Sequence, residues 1–170
     1  GVDRIFIDME VLGKAERQGG RDTVQSHHVP EDIAKVRAAI GDGTEIMARV
    51  NPLNSDSQAE IDASIENGAD VIMLPMWRTA DDLRQLVSMV DGRAKVMPLL
   101  ETDTAAEHLP EALTVPGIDQ MHIGLNDLHL CYHQRFMFQL LTDGTVDRLC
   151  AELREANIPY GFGGGGRPGS

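Results

Sequence analysis

The chain has 170 residues, of which 42% are hydrophobic and 25% charged; 27 acids against 15 Lys plus Arg give a formal charge of −12. That length supports a proper hydrophobic core but falls short of the roughly 250 residues of a complete eight-unit (β/α) barrel. The acidic balance repels phosphate backbones, which argues against a nucleic-acid partner, and no apolar run approaches the length of a membrane span.

Aromatic residues make up only 4% of the chain, so the core must be built from Ile, Leu, Val, Met and Ala, residues that suit buried parallel strands. Cys131 and Cys150 have neither the spacing of a metal site nor that of a redox pair. They read as free thiols, and with no signal-peptide pattern the expected location is cytoplasmic.

Residues 4–9 read as the first strand, followed by a long loop over 11–29. A helix is expected over 30–40, where Pro30 suits a first turn and Glu31 and Asp32 suit its positive end. The second strand is expected over 45–50. The helix over 57–66 follows, with Ile61 and Ile65 four apart and Asn67-Gly68 as its stop. Residues 70–75 read as the third strand. Thr79 and Asp82 are spaced as a capping box for a helix over 79–90, whose buried stripe is Leu83, Leu86, Val87 and Val90. The fourth strand is expected over 94–100, with a short helix over 104–109 closed by Pro110. Residues 120–124 read as the fifth strand, and 127–143 as a second functional-looking loop. A helix over 145–156, burying Val146, Leu149, Cys150 and Leu153, leads to the sixth strand over 158–162.

Strict strand–helix alternation argues for one parallel β/α domain spanning residues 1–170. Alternation alone leaves a barrel and an open doubly wound sheet both possible. Either way, all C-terminal strand ends share one rim, where such folds bind ligands. Polar residues crowd that rim: Asp8 and Glu10, Arg49 and Asn51, Glu101, then Asn126 and Asp127. A glutamate and an aspartate from adjacent strands suit Mg²⁺ or Mn²⁺, which favour hard oxygen ligands and keep exchangeable waters. Arg49 has the fork to grip a carboxylate. Plainer roles fit the same residues: a solvated turn or cap for each acid, a short helix start at Asn126-Asp127, a structural salt bridge for Arg49.

At Asp8-Met-Glu10, Arg49-Val-Asn-Pro52, Leu99-Leu-Glu-Thr102 and Gly124-Leu-Asn-Asp-Leu128 the chain resembles the HpcH/HpaI aldolase and citrate lyase β-subunit family, and Tyr160-Gly-Phe-Gly-Gly164 also fits. The ordered motifs cover nearly the whole chain. The resemblance implies a TIM (β/α) barrel of the pyruvate/phosphoenolpyruvate superfamily, here with six of eight βα units, the family's first and last lying outside this sequence. It implies a metal-dependent carbon–carbon lyase using Mg²⁺ (or Mn²⁺ or Co²⁺), with Glu101 and Asp127 as metal ligands. Arg49 would bind the substrate carboxylate, and Gly124, Leu125 and Asn126 would line the substrate. Asp8 and Glu10 would organise the metal waters and the first loop. The expected substrate is a small 2-oxo acid or a carboxylic thioester, and the expected assembly is a homo-oligomer.

Where the aldolase branch carries a histidine base after the first acid pair, this chain has Val11. His27 and His28 in the first loop are then the proton-transfer candidates, with His129 a third. His122, inside a strand, reads as a hydrogen-bonded structural residue. Lys14 and Arg17 resemble the basic pair of the citrate lyase-like branch. The alternatives are a non-catalytic barrel that keeps a metal or anion site or serves in assembly, and an enolase-type or phosphotransfer reaction on the same scaffold.

Overall fold

The computed structural model describes residues 1–13 and 28–164. Six strands form one sheet: β1 (Arg4–Asp8), β2 (Glu45–Arg49), β3 (Val71–Leu74), β4 (Lys95–Leu100), β5 (Met121–Gly124) and β6 (Tyr160–Gly163). They lie side by side in chain order, β1-β2-β3-β4-β5-β6, and every neighbouring pair is parallel. A doubly wound sheet would reverse its strand order at a switch point. This one never does, so the alternative left open by the alternation is settled in favour of a barrel wall.

One contact shows that the wall curls. Arg4 at the start of β1 donates from Nη1 to Gln120 Oε1, just ahead of β5, at 2.9 Å, and the same nitrogen lies 3.5 Å from Met97 Sδ on β4. In a flat sheet, strands four places apart would stand roughly 19 Å away from each other. Only a curled sheet lets these side chains meet across its concave face.

The helices between the strands are α1 (Pro30–Ile40), α2 (Ser57–Glu66), α3 (Ala80–Val90), α4 (Asp103–Glu107), α5 (Leu109–Ala112), α6 (Leu125–Cys131), α7 (Gln139–Thr142) and α8 (Thr145–Glu155). Helix α1 starts on Pro30, where a missing N–H costs nothing, and Asp32 accepts from Val29 N–H at 3.2 Å. Helix α3 carries the expected box: Asp82 N–H donates to Thr79 Oγ1 and Asp82 Oδ2 accepts from Thr79 N–H. It stops where Asp91 turns left-handed. Leu83, Leu86 and Val90 face the core, as do Val146, Leu149, Cys150 and Leu153 of α8.

Alternate strand residues divide between two cores. Ile46, Ala48, Ile72, Leu74, Val96, Leu100, Met121 and Ile123 point outward beneath the helices. Val71, Met73, Met97 and Leu99, with Met47, fill the concave side. Burying each such side chain contributes roughly 1.5–3 kcal/mol relative to exposure. This two-sided burial explains why the strands read as apolar runs.

Two local expectations are corrected. Pro110 does not close the helix over 104–109; that helix is α4, ending at Glu107, and Pro110 sits in the first turn of α5. Proline tolerates a first turn as well as it terminates a helix. About half of the stretch 127–143 is helical, holding most of α6 and all of α7.

The entering ends of the strands are held by ion pairs. Glu45 takes Arg4 at 2.6 Å on one oxygen and Lys95 on the other. A cleft of about 530 Å³ opens there, lined among others by Glu45, Asp70, Arg93 and Lys95. Its charges are spent on internal pairs, Asp70 with Arg37 and Arg93 with Asp62, so the chemistry must be sought at the other rim.

Candidate active site

At the C-terminal rim the parallel register sets Asp8 beside Arg49. Arg49 donates to Asp8 through Nε at 2.9 Å and Nη2 at 2.7 Å, and its Nε lies 3.4 Å from Glu10 Oε2. The backbone N–H of Glu10 closes on Asp8 Oδ1 at 3.2 Å. Below the guanidinium lies the ring of Phe6, 5.4 Å from Cζ to its centroid. Two acids and an aromatic face thus fix Arg49 at the top of β2, and this surrounding negative charge holds its pKa above the ordinary arginine value in spite of burial.

Glu101 follows β4 directly and is 2% exposed. One oxygen, Oε1, accepts from Met76 N–H at 3.1 Å. Met76 adopts φ 56°, a left-handed conformation that a side chain such as methionine rarely takes, so the turn after β3 is strained where it serves Glu101. The other face of Glu101 lies against Gly124. A Cβ there would stand 3.0 Å from Glu101 Oε2 and 3.1 Å from its Cβ. Glycine at the end of β5 leaves room for the carboxylate.

Asp127 enters from the first turn of α6 and is buried. Strand β5 passes into that helix with no loop, Gly124 being its N-cap. The strand-end and helix-start readings of Asn126-Asp127 therefore both describe one feature. Burial, then the negative charges of Asp127 and Glu10, push the Glu101 carboxyl up to about 8; Arg49 and the Met76 N–H pull the other way without prevailing.

Around this cluster stands a polar frame. Glu60 of α2 accepts from Asn51 N–H at 3.1 Å and Asn51 Nδ2 at 2.9 Å, and burial raises its carboxyl pKa. Asn51 Oδ1 in turn accepts the amides of Val11 and Leu12 at 2.8 and 2.9 Å. The second strand's rim thereby anchors the start of the first loop. Thr102 caps α4 and donates to Trp77 O at 2.9 Å, which ties the turn after β3 to the residue following Glu101.

The rim accordingly gathers Asp8, Glu10, Arg49, Glu101, Gly124 and Asp127, with Leu125 and Asn126 opening α6 beside Gly124. His27, with Lys14 and Arg17, lies outside the described residues. His28 is half-exposed and points to Asp32 of α1, 3.6 Å from it. His129 is buried, its Nδ1 3.2 Å from Leu125 O one turn earlier, a helix-internal contact.

His122 requires correction. Among the described residues neither ring nitrogen has a hydrogen-bond partner. The ring lies on the concave face of β5, over Gly161 and Gly163 of β6. Its parity was legible, because Gly124 two residues on belongs to the same face. The space above it was not, since that depends on which strand pairs alongside.

A sequential all-parallel wall with its buried charges gathered at the C-terminal strand ends defines a (β/α)-barrel-type ligand-binding rim. The chain belongs to the HpcH/HpaI aldolase/citrate lyase family, which residues 1–134 match. The fold is that of solved relatives. A HpcH/HpaI aldolase/citrate lyase family protein from Burkholderia cenocepacia J2315 superposes with TM-score 0.76 at 17% identity, over 95% of this chain and 71% of that one. An HpcH/HpaI aldolase from Desulfitobacterium hafniense DCB-2 gives 0.72 at 16%, over 95% and 68%. The citrate synthase SbnG gives 0.73 at 15%, over 95% and 68%. No match was found among curated proteins. The family is one of aldolases and lyases, and among the described residues no helix is long and apolar enough to cross a membrane.

Proposed function

We propose that the chain is a divalent-metal-dependent carbon–carbon lyase. Its substrate class is a small 2-oxo-acid aldol or a related carboxylic thioester, and its product pyruvate or a similar small acid. The observation that carries this reading is Glu101: a buried carboxyl crowded by Asp127 and Glu10 and driven up to about 8. A divalent cation bound there would replace the Glu101 proton and relieve the repulsion among these carboxylates.

The donor set fits. Among the described residues no group of three or more His, Cys, Asp or Glu is arranged as a protein cage for a metal. Small hard cations of the Mg²⁺ type use one or two carboxylates and leave their other positions to water and substrate. Glu101 and Asp127 would hold the ion; Mn²⁺ and Co²⁺ accept the same ligands. When bound, it supplies Lewis-acid stabilisation of negative charge on the substrate's oxygens.

The protein's own groups do the rest. Arg49 uses Nε and one Nη2 hydrogen on Asp8, and its Nη1 makes no hydrogen bond to the described residues. The outer edge of the fork, Nη1 with the second Nη2 hydrogen, is the surface that would take the substrate carboxylate. Asp8 and Glu10 hold that edge in orientation before substrate arrives, so little reorganisation accompanies binding. Gly124 keeps a side chain out of the space between Glu101 and the substrate.

Incubating the pure chain with Mg²⁺ and a panel of 4-hydroxy-2-oxo acids tests the reading. Metal-dependent pyruvate release, abolished by chelation and by Glu101→Gln, is the expected result. Turnover that ignores chelator would contradict it, as would products without carbon–carbon cleavage.

A further inference from the structure

His122 is the described histidine that lies on a strand, and it faces the concave side on which Arg49 also lies. Strands β2 and β5 are three places apart in the sheet, yet the Arg49 charge reaches the ring across the curl. On β4, Leu99 is its register partner, and Glu101 packs against Gly124 one layer nearer the rim. Strand β6 presents no side chain to it: a Cβ at Gly163 would stand 3.1 Å from His122 Nε2, and one at Gly161 3.6 Å from Nδ1. The charged groups on this side are Arg49 with Asp8 and Glu10, Glu101 and Asp127 at the rim, and Arg4 with Glu45 and Lys95 toward the entering end. A part-buried imidazole on the concave face, with neither nitrogen bonded to the described residues and only glycines alongside on β6, keeps both nitrogens available to a ligand on that face.

We propose that His122 is a catalytic residue, the proton carrier of the site. This rests on the carbon–carbon lyase reading above. In the cleavage direction Nε2 takes the proton from the substrate's 4-hydroxyl. The O–H electron pair becomes the new C=O bond of the departing aldehyde. The broken C3–C4 bond leaves its pair on the pyruvate half, and the imidazolium returns the proton to that carbon, giving the pyruvate methyl group. Atoms and electrons balance with no external oxidant or reductant. Burial first, and the Arg49 charge second, keep the imidazole pKa below its ordinary value, so the lone pair needed for the first transfer is present at neutral pH.

The half-reaction is read without any aldehyde. In D₂O with Mg²⁺, ¹H NMR follows loss of the pyruvate methyl signal catalysed by the full chain. His122→Gln is expected to slow exchange about 100-fold or more, to leave pyruvate affinity within about threefold by calorimetry, and to abolish the acid limb of the pH–rate profile. Gly163→Ala, which crowds Nε2 while keeping His122, should slow exchange about tenfold. Independently of any variant's folding, the His122 ring resonances of the wild-type chain should shift when pyruvate is added in the presence of Mg²⁺. Wild-type exchange and binding together with an equally active His122→Gln, or ring resonances that pyruvate does not move, would overturn the assignment while leaving the lyase reading intact. A wild-type chain that neither binds pyruvate nor exchanges its protons would overturn both.

Discussion

Asp8 and Arg49, neighbours in register on β1 and β2, form a two-point ion pair at 2.9 and 2.7 Å whose guanidinium also faces Glu10. The pair is nearly buried, with side-chain exposures of 12% and 16%. Charges so placed stabilise little as a pair but cost a great deal when one loses the other.

Arg49→Ala is therefore expected to lower stability by about 3 kcal/mol in urea denaturation, because two buried acids lose their cation. Arg49→Lys should recover less than half of that, since an ammonium cannot make the parallel bonds. Equal stability of both variants and wild type would show that the pair is incidental.

Glu101 makes the metal-free protein sensitive to pH in an unusual direction. Its carboxyl pKa rises from 4.5 in the open chain to about 8 in the fold, so between those values the folded state holds a proton that the unfolded state has released. Stability from this group is complete below pH 4.5 and declines as pH climbs toward 8, by up to roughly 5 kcal/mol. Glu101→Gln should consequently stabilise the metal-free protein at pH 8 and scarcely at pH 4.5, as measured by thermal or urea unfolding at both. Over the same window Mn²⁺ affinity should increase with pH, since the ion displaces that proton.

Gly124→Ala probes the close approach at the end of β5. The added methyl would meet Glu101 Oε2 at 3.0 Å and its Cβ at 3.1 Å. The carboxylate must swing away, and Mn²⁺ affinity is expected to fall about tenfold, or about 1.4 kcal/mol, while circular dichroism remains that of wild type. Unchanged affinity would mean that Glu101 is not held in this position when metal binds.

Asn51→Ala removes the acceptor shared by the Val11 and Leu12 amides. Both amides should exchange with solvent at least tenfold faster, and Glu60, which loses the Asn51 Nδ2 donor that favours its charged form, should become harder to ionise. Protection unchanged at Val11 and Leu12 would show that the loop is anchored elsewhere.

Much of this was legible in the residues. Thr79 and Asp82 announce the start of α3 because capping is a local matter. The rim positions of Asp8, Arg49 and Glu101 follow from strand-length apolar runs with one polar end. Whether the runs form a barrel wall was not legible, because strand order is written in non-local pairing; the Arg4–Gln120 bond across the concave face has no signature in sequence. Pro110 was misread because a proline that ends one helix and one that begins the next look alike over five residues. For Arg49 the sequence left a carboxylate grip and a structural salt bridge both open, and the partner that takes part of its fork, Asp8, lies 41 residues away. The strain at Met76 and the packing of His122 against Gly161 and Gly163 both depend on neighbours distant in sequence.

The most direct measurement is a calorimetric titration of Mn²⁺ into metal-free protein, with and without pyruvate, beside Glu101→Ala. Saturable one-site binding that pyruvate tightens, and that the variant loses, is the predicted result. A folded wild-type chain that binds no Mn²⁺, or one whose Mn²⁺ affinity is the same with Glu101 replaced, would contradict the site and the lyase function proposed for it.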